Sequence, residues 1–255
     1  MRKTFILALA AAALSMVGSA GATRAEGTFT YCTDPTFPPM ELATTSGKIT
    51  GFDVDMATAL AKTWGGSAKA IKTAFPGLIP ALNSKKCNAV ISGIFITPDR
   101  LKEAGAVPYM KTHRVLIVKA GNPKGIHNPN QLKGKNVAVQ AGTKYEEYLK
   151  ALKNKIGFNL QSYPGDTDAV AQVLLGRADA VLTQDTSFAS ESKQHPGKIA
   201  VGYTFGASDQ FGIYFRKADA GTIGKQVKDG LAKLKSNGTL AKIAGKYSIP
   251  VTTVK

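Results

Sequence analysis

Short apolar, β-branched runs alternate with amphipathic helical stripes along most of this chain, and that alternation admits few architectures. Thr28–Thr33 reads as a strand ending at Asp34-Pro35. Ala57, Leu60, Ala61 and Trp64 fall at i, i+3, i+4 and i+7, one apolar face of a helix that Gly65-Gly66 stops. Leu78, Ile79 and Leu82 mark a short helix before the strand Ala89–Ser92, and Val115–Val118 and Val137–Val139 are further strands. Tyr145, Tyr148, Leu149 and Leu152 form another stripe. Val170, Val173 and Leu174 precede the strand Ala180–Leu182, and Phe211–Phe215 returns to strand. Two helices close the chain, the last carrying Leu240, Ile243, Ala244 and Tyr247. Such a pattern builds an α/β fold with parallel sheets covered by helices on both faces. The 255 residues suit one large domain or two lobes of about 100 to 150 each.

An internal echo favours two lobes. Lys86-Cys87-Asn88-Ala89-Val90-Ile91-Ser92 resembles Arg177-Ala178-Asp179-Ala180-Val181-Leu182-Thr183, each after a short apolar helix. Chance similarity of two helix–strand units explains the echo equally well at this point. If the lobes are related, Ser92 and Thr183 stand at carboxyl ends of strands, where open α/β sheets bind ligands. The Gly/Asn/Pro-rich stretch from Gly121 to Gln131 reads as the loop entering the second lobe.

The beginning of the chain carries export information. Arg2 and Lys3 precede an apolar run from Phe5 to Val17, and Ala20-Gly21-Ala22 offers a small-residue cleavage site, with Ala25 a second candidate. The run is too short for a bilayer core of about 30 Å. Residues 1–25 are therefore expected to be a cleaved signal peptide, and the mature protein to be exported, as into a bacterial periplasm. The net charge of +16 becomes +13 once Arg2, Lys3 and Arg24 are removed. The lysines are spread from Lys48 to Lys255 without a long basic run, so a solvated cationic surface is expected and nucleic acid is not an expected partner. His113, His127 and His195 are scattered, so neither a metal nor another cofactor is expected.

Candidate chemistry gathers just after the strands. Thr97-Pro98-Asp99-Arg100 places an N-cap, a first-turn proline and a first-turn acid before Arg100. A cation there opposes the helix dipole and needs an anion. That anion is either a protein carboxylate or a ligand carboxylate held by the guanidinium fork. In Gln140-Ala141-Gly142-Thr143-Lys144-Tyr145-Glu146, Thr143 and Glu146 form a capping box, and the glycine before a helix start exposes N–H groups suited to an anion. Asp34 and Asp185 follow strand ends, where a carboxylate either receives a ligand ammonium or caps its own turn. Phe37 and Phe75 either stack a ligand or fill core. No nucleophile–base pair and no phosphate-binding loop is present.

Several strings together resemble a known family. They are Thr33-Asp34-Pro35-Thr36-Phe37-Pro38-Pro39, Gly51-Phe52-Asp53-Val54-Asp55, Gly77-Leu78-Ile79-Pro80-Ala81-Leu82, Ser92-Gly93 through Ile96-Thr97-Pro98-Asp99-Arg100, and Leu132-Lys133-Gly134-Lys135 through Ala141-Gly142-Thr143. In this order they are similar to the amino-acid-type extracellular solute-binding proteins (family 3) of ABC importers. The resemblance implies a two-lobed periplasmic-binding-protein-like fold. Each lobe is a mostly parallel sheet flanked by helices, and a hinged cleft lies between them. It implies one lobe from 26–116 plus 213–255 and a second from 117–212. It implies a monomer that takes a small-molecule ligand, an amino acid or related carboxylate, and delivers it to a membrane permease.

The resemblance also assigns roles. Arg100 matches the arginine that holds the ligand α-carboxylate, with backbone N–H groups near Ser92-Gly93 and Gly142-Thr143 assisting. Asp185 matches the aspartate that takes the α-ammonium, Asp34 the position that reads the side chain, and Phe37 and Phe75 the positions that sandwich the ligand. Phe95 and Lys144 depart from the small hydroxyl residues common at those places. A polar or basic amino acid is the expected ligand. A non-amino-acid carboxylate, an enzyme of the cyclohexadienyl dehydratase type on the same fold, and a sensory module remain alternatives. For the two cysteines, an oxidising compartment favours a bond. The expected stagger of Cys32 and Cys87 on neighbouring parallel strands argues against one, since it exceeds the 7 Å Cα limit at about 3.3 Å per residue.

Overall fold

Parallel strands need crossover connections, and the first half of the chain supplies them in a regular order. The computed structural model describes residues 27–254; the expected signal peptide lies outside them. Strand β1 (Thr28–Thr33) leads into a small antiparallel sheet of β2 (Thr36–Phe37), β3 (Glu41–Ala43) and β4 (Ile49–Thr50). Then follow α1 (Phe52–Lys62), β5 (Ser67–Lys72), α2 (Leu78–Asn83), β6 (Ala89–Val90) and α3 (Pro98–Glu103). The long strand β7 (Gly105–Lys119) reaches a second set: β8 (Asn136–Gln140), α4 (Lys144–Ile156), β9 (Asn159–Tyr163), α5 (Asp166–Leu174), β10 (Ala180–Gln184) and α6 (Asp185–Gln194). A second long strand, β11 (Ile199–Phe215), returns, and α7 (Lys225–Ser236) and α8 (Thr239–Lys246) follow it.

The large sheet has the order β5-β1-β6-β11-β7-β10-β8-β9. Each outer triplet is parallel, and each is wound β-α-β-α-β with its last strand innermost. This is the two-lobed α/β architecture, and the echoed segments are its two equivalent inner strands, β6 and β10. Between the triplets, β7 and β11 run antiparallel to each other from Gly105 against Phe215 to Lys119 against Ile199, with irregularities at Val201/Tyr203, Thr204/Ser208 and Phe211/Gly212.

The helices bury the faces their periodicity marks. In α1, Met56, Ala57, Leu60 and Ala61 are buried, and Trp64 just beyond meets the Phe29 ring edge-on at 5.4 Å. In α4, Tyr145 and Leu149 are buried. Full burial of one such leucine stabilises by about 1.5–3 kcal/mol. Strands β5 and β9 escape the periodicity argument: as edges of the sheet they carry lysine or polar side chains, SAKAIK and NLQSY, which blunt an open edge.

The expectation about the cysteines is corrected. Cys32 and Cys87 form a disulfide, with Cα atoms 5.7 Å apart. The register sets Cys32 against Val90, three residues beyond Cys87. Those residues are not all extended: the chain bends at Asn88 before β6 begins at Ala89, so a rise of 3.3 Å per residue overstates the gap.

Candidate functional site

Side chains from both triplets meet over the centre of the sheet. The cleft between them is lined by Asp34, Phe37, Phe75, Gly93, Phe95 and Arg100 from one side. Gln140, Thr143, Lys144, Tyr145, Asp166 and Gln184 line it from the other. Eight expected site residues are thus brought together: Asp34, Phe37, Phe75, Gly93, Phe95, Arg100, Thr143 and Lys144. Three are not. Ser92 is buried beneath the wall, where its hydroxyl accepts from the Asp34 N–H at 2.9 Å and donates to Glu41 at 2.8 Å. Gly142 stands just outside, beside Phe75, Pro76 and Lys144. Asp185 opens α6 facing away. Its carboxylate accepts from Thr112 Oγ1 at 2.5 Å and from the His113 N–H at 3.2 Å, in the crossing strand.

The Arg100 guanidinium faces the cleft without a protein carboxylate. Of the other buried-side arginines, Arg114 pairs with Asp209 at 2.9 Å and Arg216 with Asp219; among the described residues Arg100 has no such partner within 4.0 Å. One of its nitrogens donates to the Phe95 carbonyl at 3.0 Å, and its plane lies 5.6 Å from the Phe75 centroid. Burial lowers its pKa, because a cation leaving water without an anion is disfavoured. Thr97 caps α3 by accepting from the Arg100 N–H at 3.3 Å, which sets the direction of the side chain.

Two carboxyls face the same space. Asp34, 4% exposed, accepts from the Phe75 N–H at 3.1 Å and from Gln140 Nε2 at 2.9 Å, across the cleft. Asp166, 3% exposed, accepts from Thr183 Oγ1 and Ser187 Oγ, each at 2.6 Å. Burial without a cation pushes both carboxyls up to about 6. The floor is aromatic: Phe95 stacks on the fully buried Phe211 at 5.3 Å and meets Tyr145 edge-on at 5.3 Å.

The backbone donors are partly spoken for. The Gly93 N–H donates to Asp53 at 2.8 Å and the Gly142 N–H to Glu146 at 2.9 Å. Thr143 caps α4, accepting from the Glu146 N–H at 3.2 Å, but the Glu146 carboxylate takes the Gly142 N–H in place of the Thr143 N–H, so only half of the expected capping box forms. Lys144 bridges the cleft mouth to Asp99 at 3.2 Å and also holds Glu147 at 2.7 Å. Gly142 has φ +73°, and a Cβ there would meet Pro76 of the facing side at 2.7 Å. Gly142→Ala is expected to weaken ligand binding about tenfold or more. The left-handed backbone costs a non-glycine residue roughly 1–2 kcal/mol in the free and bound protein alike, whereas the methyl group wedges apart the sides that meet at Pro76 and so acts on affinity. A titration at unchanged secondary structure checks this; an affinity equal to that of the unsubstituted protein would show that these sides need not meet.

Sequence reasoning missed Gln140, Tyr145, Asp166 and Gln184. Gln140 ends the middle strand β8 and Gln184 the inner strand β10 of the second triplet, and strand ends were the available signal. Asp166 opens a helix after a polar edge strand that left no periodic trace.

Residues 29–249 match the pattern of the bacterial extracellular solute-binding proteins, family 3. The chain belongs to this family. It is 31% identical over 222 residues to the L-cystine-binding protein of Escherichia coli, covering 87% of this chain and 82% of that one. It is 32% identical over 253 residues to a putative ABC transporter arginine-binding protein of Escherichia coli, covering 97% and 99%. Among solved structures, an ancestral arginine-binding protein bound to arginine superposes with a TM-score of 0.81 at 33% identity over 87% of this chain and 98% of its own. An ancestral amino acid-binding protein, a precursor of cyclohexadienyl dehydratase, gives 0.79 at 32% identity over 87% and 95%.

Proposed function

We propose that this family member is the exported binding component of an ABC importer and that its ligand is an amino acid with a cationic side chain. The observation that carries the reading is the charge inventory of the cleft. One guanidinium, Arg100, faces it without a carboxylate partner, and two buried carboxyls, Asp34 and Asp166, face it without a cation. A basic amino acid brings the complement: one carboxylate for Arg100 and two cationic groups for the acids. Phe75 and the Phe95–Tyr145 edge would hold its aliphatic stem. The arginine-binding names of relatives support the same class. Because Asp166 and Gln184 line the cleft and Asp185 does not, we assign the ammonium to Asp166 and Gln184 instead. Calorimetric titration with L-arginine, L-histidine, L-cystine and L-glutamate tests the reading: arginine should bind and glutamate should not, since its side chain would meet Asp34. Tightest binding by glutamate would overturn it.

The hinge belongs to β7 and β11. Residues 114–118 of β7 pair with β10, and 214–215 of β11 pair with β6. Between them, 110–113 against 208–211 is flanked only by the Phe95–Phe211 bridge. We place the change of lobe there, earlier on the first crossing strand than the expected 116/117 boundary. Small-angle scattering should show a smaller radius of gyration with saturating L-arginine than without it.

Asp34→Asn should expose a trade between stability and binding. The folded-state carboxyl is raised to about 6 from 3.8, so the folded protein holds more protons than the unfolded chain between roughly pH 4 and 6. Stability therefore falls as pH rises through that window. The substitution removes the fall and should stabilise the ligand-free protein at pH 7 by up to about 3 kcal/mol while weakening arginine binding. Denaturant unfolding at pH 4 and 7 measures the first effect, calorimetry the second.

A second reading, catalysis, rests on those two carboxyls near 6 in an enclosed cleft, a suitable range for general acid–base work. Incubation with prephenate or arogenate and product analysis decides it.

A further inference from the structure

A buried acidic pair lies directly behind the cleft wall, outside the lining itself. Glu41 on β3 and Asp53 in the first turn of α1 are both 0% exposed. Among the described residues no Lys, Arg or His nitrogen lies within 4.0 Å of either carboxyl. Their donors are neutral. Ser92 Oγ reaches Glu41 Oε1 at 2.8 Å, and the Gly93 N–H and the Tyr109 hydroxyl reach Asp53 Oδ2 at 2.8 and 2.9 Å. That leaves Glu41 Oε2 and Asp53 Oδ1 buried with no donor, on segments held side by side by the Asp53 N–H, which donates to the Met40 carbonyl at 2.9 Å.

Two carboxylates cannot hydrogen-bond, and two like charges this close in a dry interior repel strongly. One proton on Glu41 Oε2, donated to Asp53 Oδ1, satisfies both orphaned atoms and leaves a single charge. That charge sits on Asp53, which accepts three bonds. The groups facing the pair offer no alternative. Tyr31 on β1 and Tyr109 on β7 are phenols that burial and these same carboxyls keep protonated. Asp34 is a third acid, and Asp55 on α1 is taken by Lys246 at 2.6 Å and Tyr247 at 2.9 Å.

The pair is wired to the cleft. The Asp34 N–H donates to Ser92 Oγ and Ser92 to Glu41, Asp53 holds the Gly93 N–H, and a proton between the two carboxyls would close the chain. We propose that Glu41 and Asp53 share one proton, and that this pair positions the Ser92-Gly93 backbone and Asp34 at the ligand-binding wall. Glu41 and Asp53 are positioning residues, since neither lines the cleft. The consequence for binding rests on the solute-binding reading; the shared proton does not.

The test uses Glu41→Gln and Glu41→Leu in the mature protein. At pH 7 the infrared spectrum should show the carbonyl band of a protonated carboxyl, and Glu41→Gln should lose that component. No difference between the two spectra would overturn the shared proton. Glutamine can still accept from Ser92 and donate to Asp53, so Glu41→Gln should fold and bind L-arginine within about twofold of the unsubstituted protein. Its unfolding midpoint should also fall less as pH rises from 5 to 8, because the native state no longer carries the extra proton. Parallel pH profiles would overturn the proposal. Glu41→Leu, which fills the space and breaks the chain of bonds, should bind L-arginine at least tenfold more weakly and shift the Gly93 amide resonance. If Glu41→Leu does not fold, Ser92→Ala cuts the link to Asp34 alone and should weaken binding severalfold. Unchanged affinity in whichever of the two folds would overturn the positioning role. Should the unsubstituted protein ignore L-arginine, the ligand reading fails. The infrared band and the pH profile then decide the proton, and the Gly93 resonance decides the positioning.

Discussion

Arg100→Ala is expected to lower affinity for the ligand about thirtyfold to several thousandfold, the largest effect of any single substitution in the cleft. The guanidinium is part-buried, lacks a protein carboxylate, and is aimed by the Thr97 cap and by its bond to the Phe95 carbonyl. Removing one partner of a desolvated charge pair costs about 2–5 kcal/mol, most of it because the other charge stays buried and alone. Arg100→Lys should recover only part of the loss: an ammonium is a point charge and cannot form the two parallel bonds of the fork. Calorimetry on the folded variants measures both. Binding by Arg100→Ala within about twofold of the unsubstituted protein would mean that the ligand carboxylate is held elsewhere.

The second large effect concerns stability. The disulfide joins Cys32 to Cys87 across 55 positions and ties the end of β1 to the segment entering β6. Closing a loop of that length removes unfolded-state entropy worth about 4 kcal/mol at 25 °C. A Cys32→Ser/Cys87→Ser variant should therefore unfold roughly 8 to 16 °C lower, given 2–4 °C per kcal/mol for a chain of this size. Reduction under native conditions should act in the same direction. A scan showing less than about 3 °C between the two forms would show that the unfolded chain is not constrained in the way this loop implies. Thiol titration of the denatured, unreduced protein should find no free thiols.

Local regularities made much of the architecture legible. The stripe at Ala57, Leu60, Ala61 and Trp64 marks α1 because helical periodicity and burial are the same fact seen twice. The caps at Thr97 and Thr143 stand where their spacing puts them, since a cap acts within three residues. The repeated helix–strand segment marks the two inner strands because the parts in mid-sheet, Ala89-Val90 and Ala180-Val181-Leu182, are buried on both faces and so apolar. Less legible were the edge strands β5 and β9, whose exposed polar side chains hide their period, and the full length of β7 and β11, whose middle parts alternate poorly around the irregular pairing.

By itself the sequence determined the alternation, the two echoed inner strands, the helix caps and the candidate anchor Arg100. Each of these is set by neighbours a few positions away. Tertiary structure decided which of two adjacent residues, Gln184 or Asp185, faces the cleft, because a strand reverses its side chains at every step while a helix turns each by about 100°, and the junction falls between them. It likewise decided that Asp166 and Gln140 join the cleft, that Cys87 bonds to Cys32, and that the Glu41 and Asp53 segments lie side by side behind the wall. These pairings span 12 to 132 positions in the chain, from Glu41–Asp53 to Asp34–Asp166. No local pattern encodes them, because they exist only once elements distant in the chain have packed together.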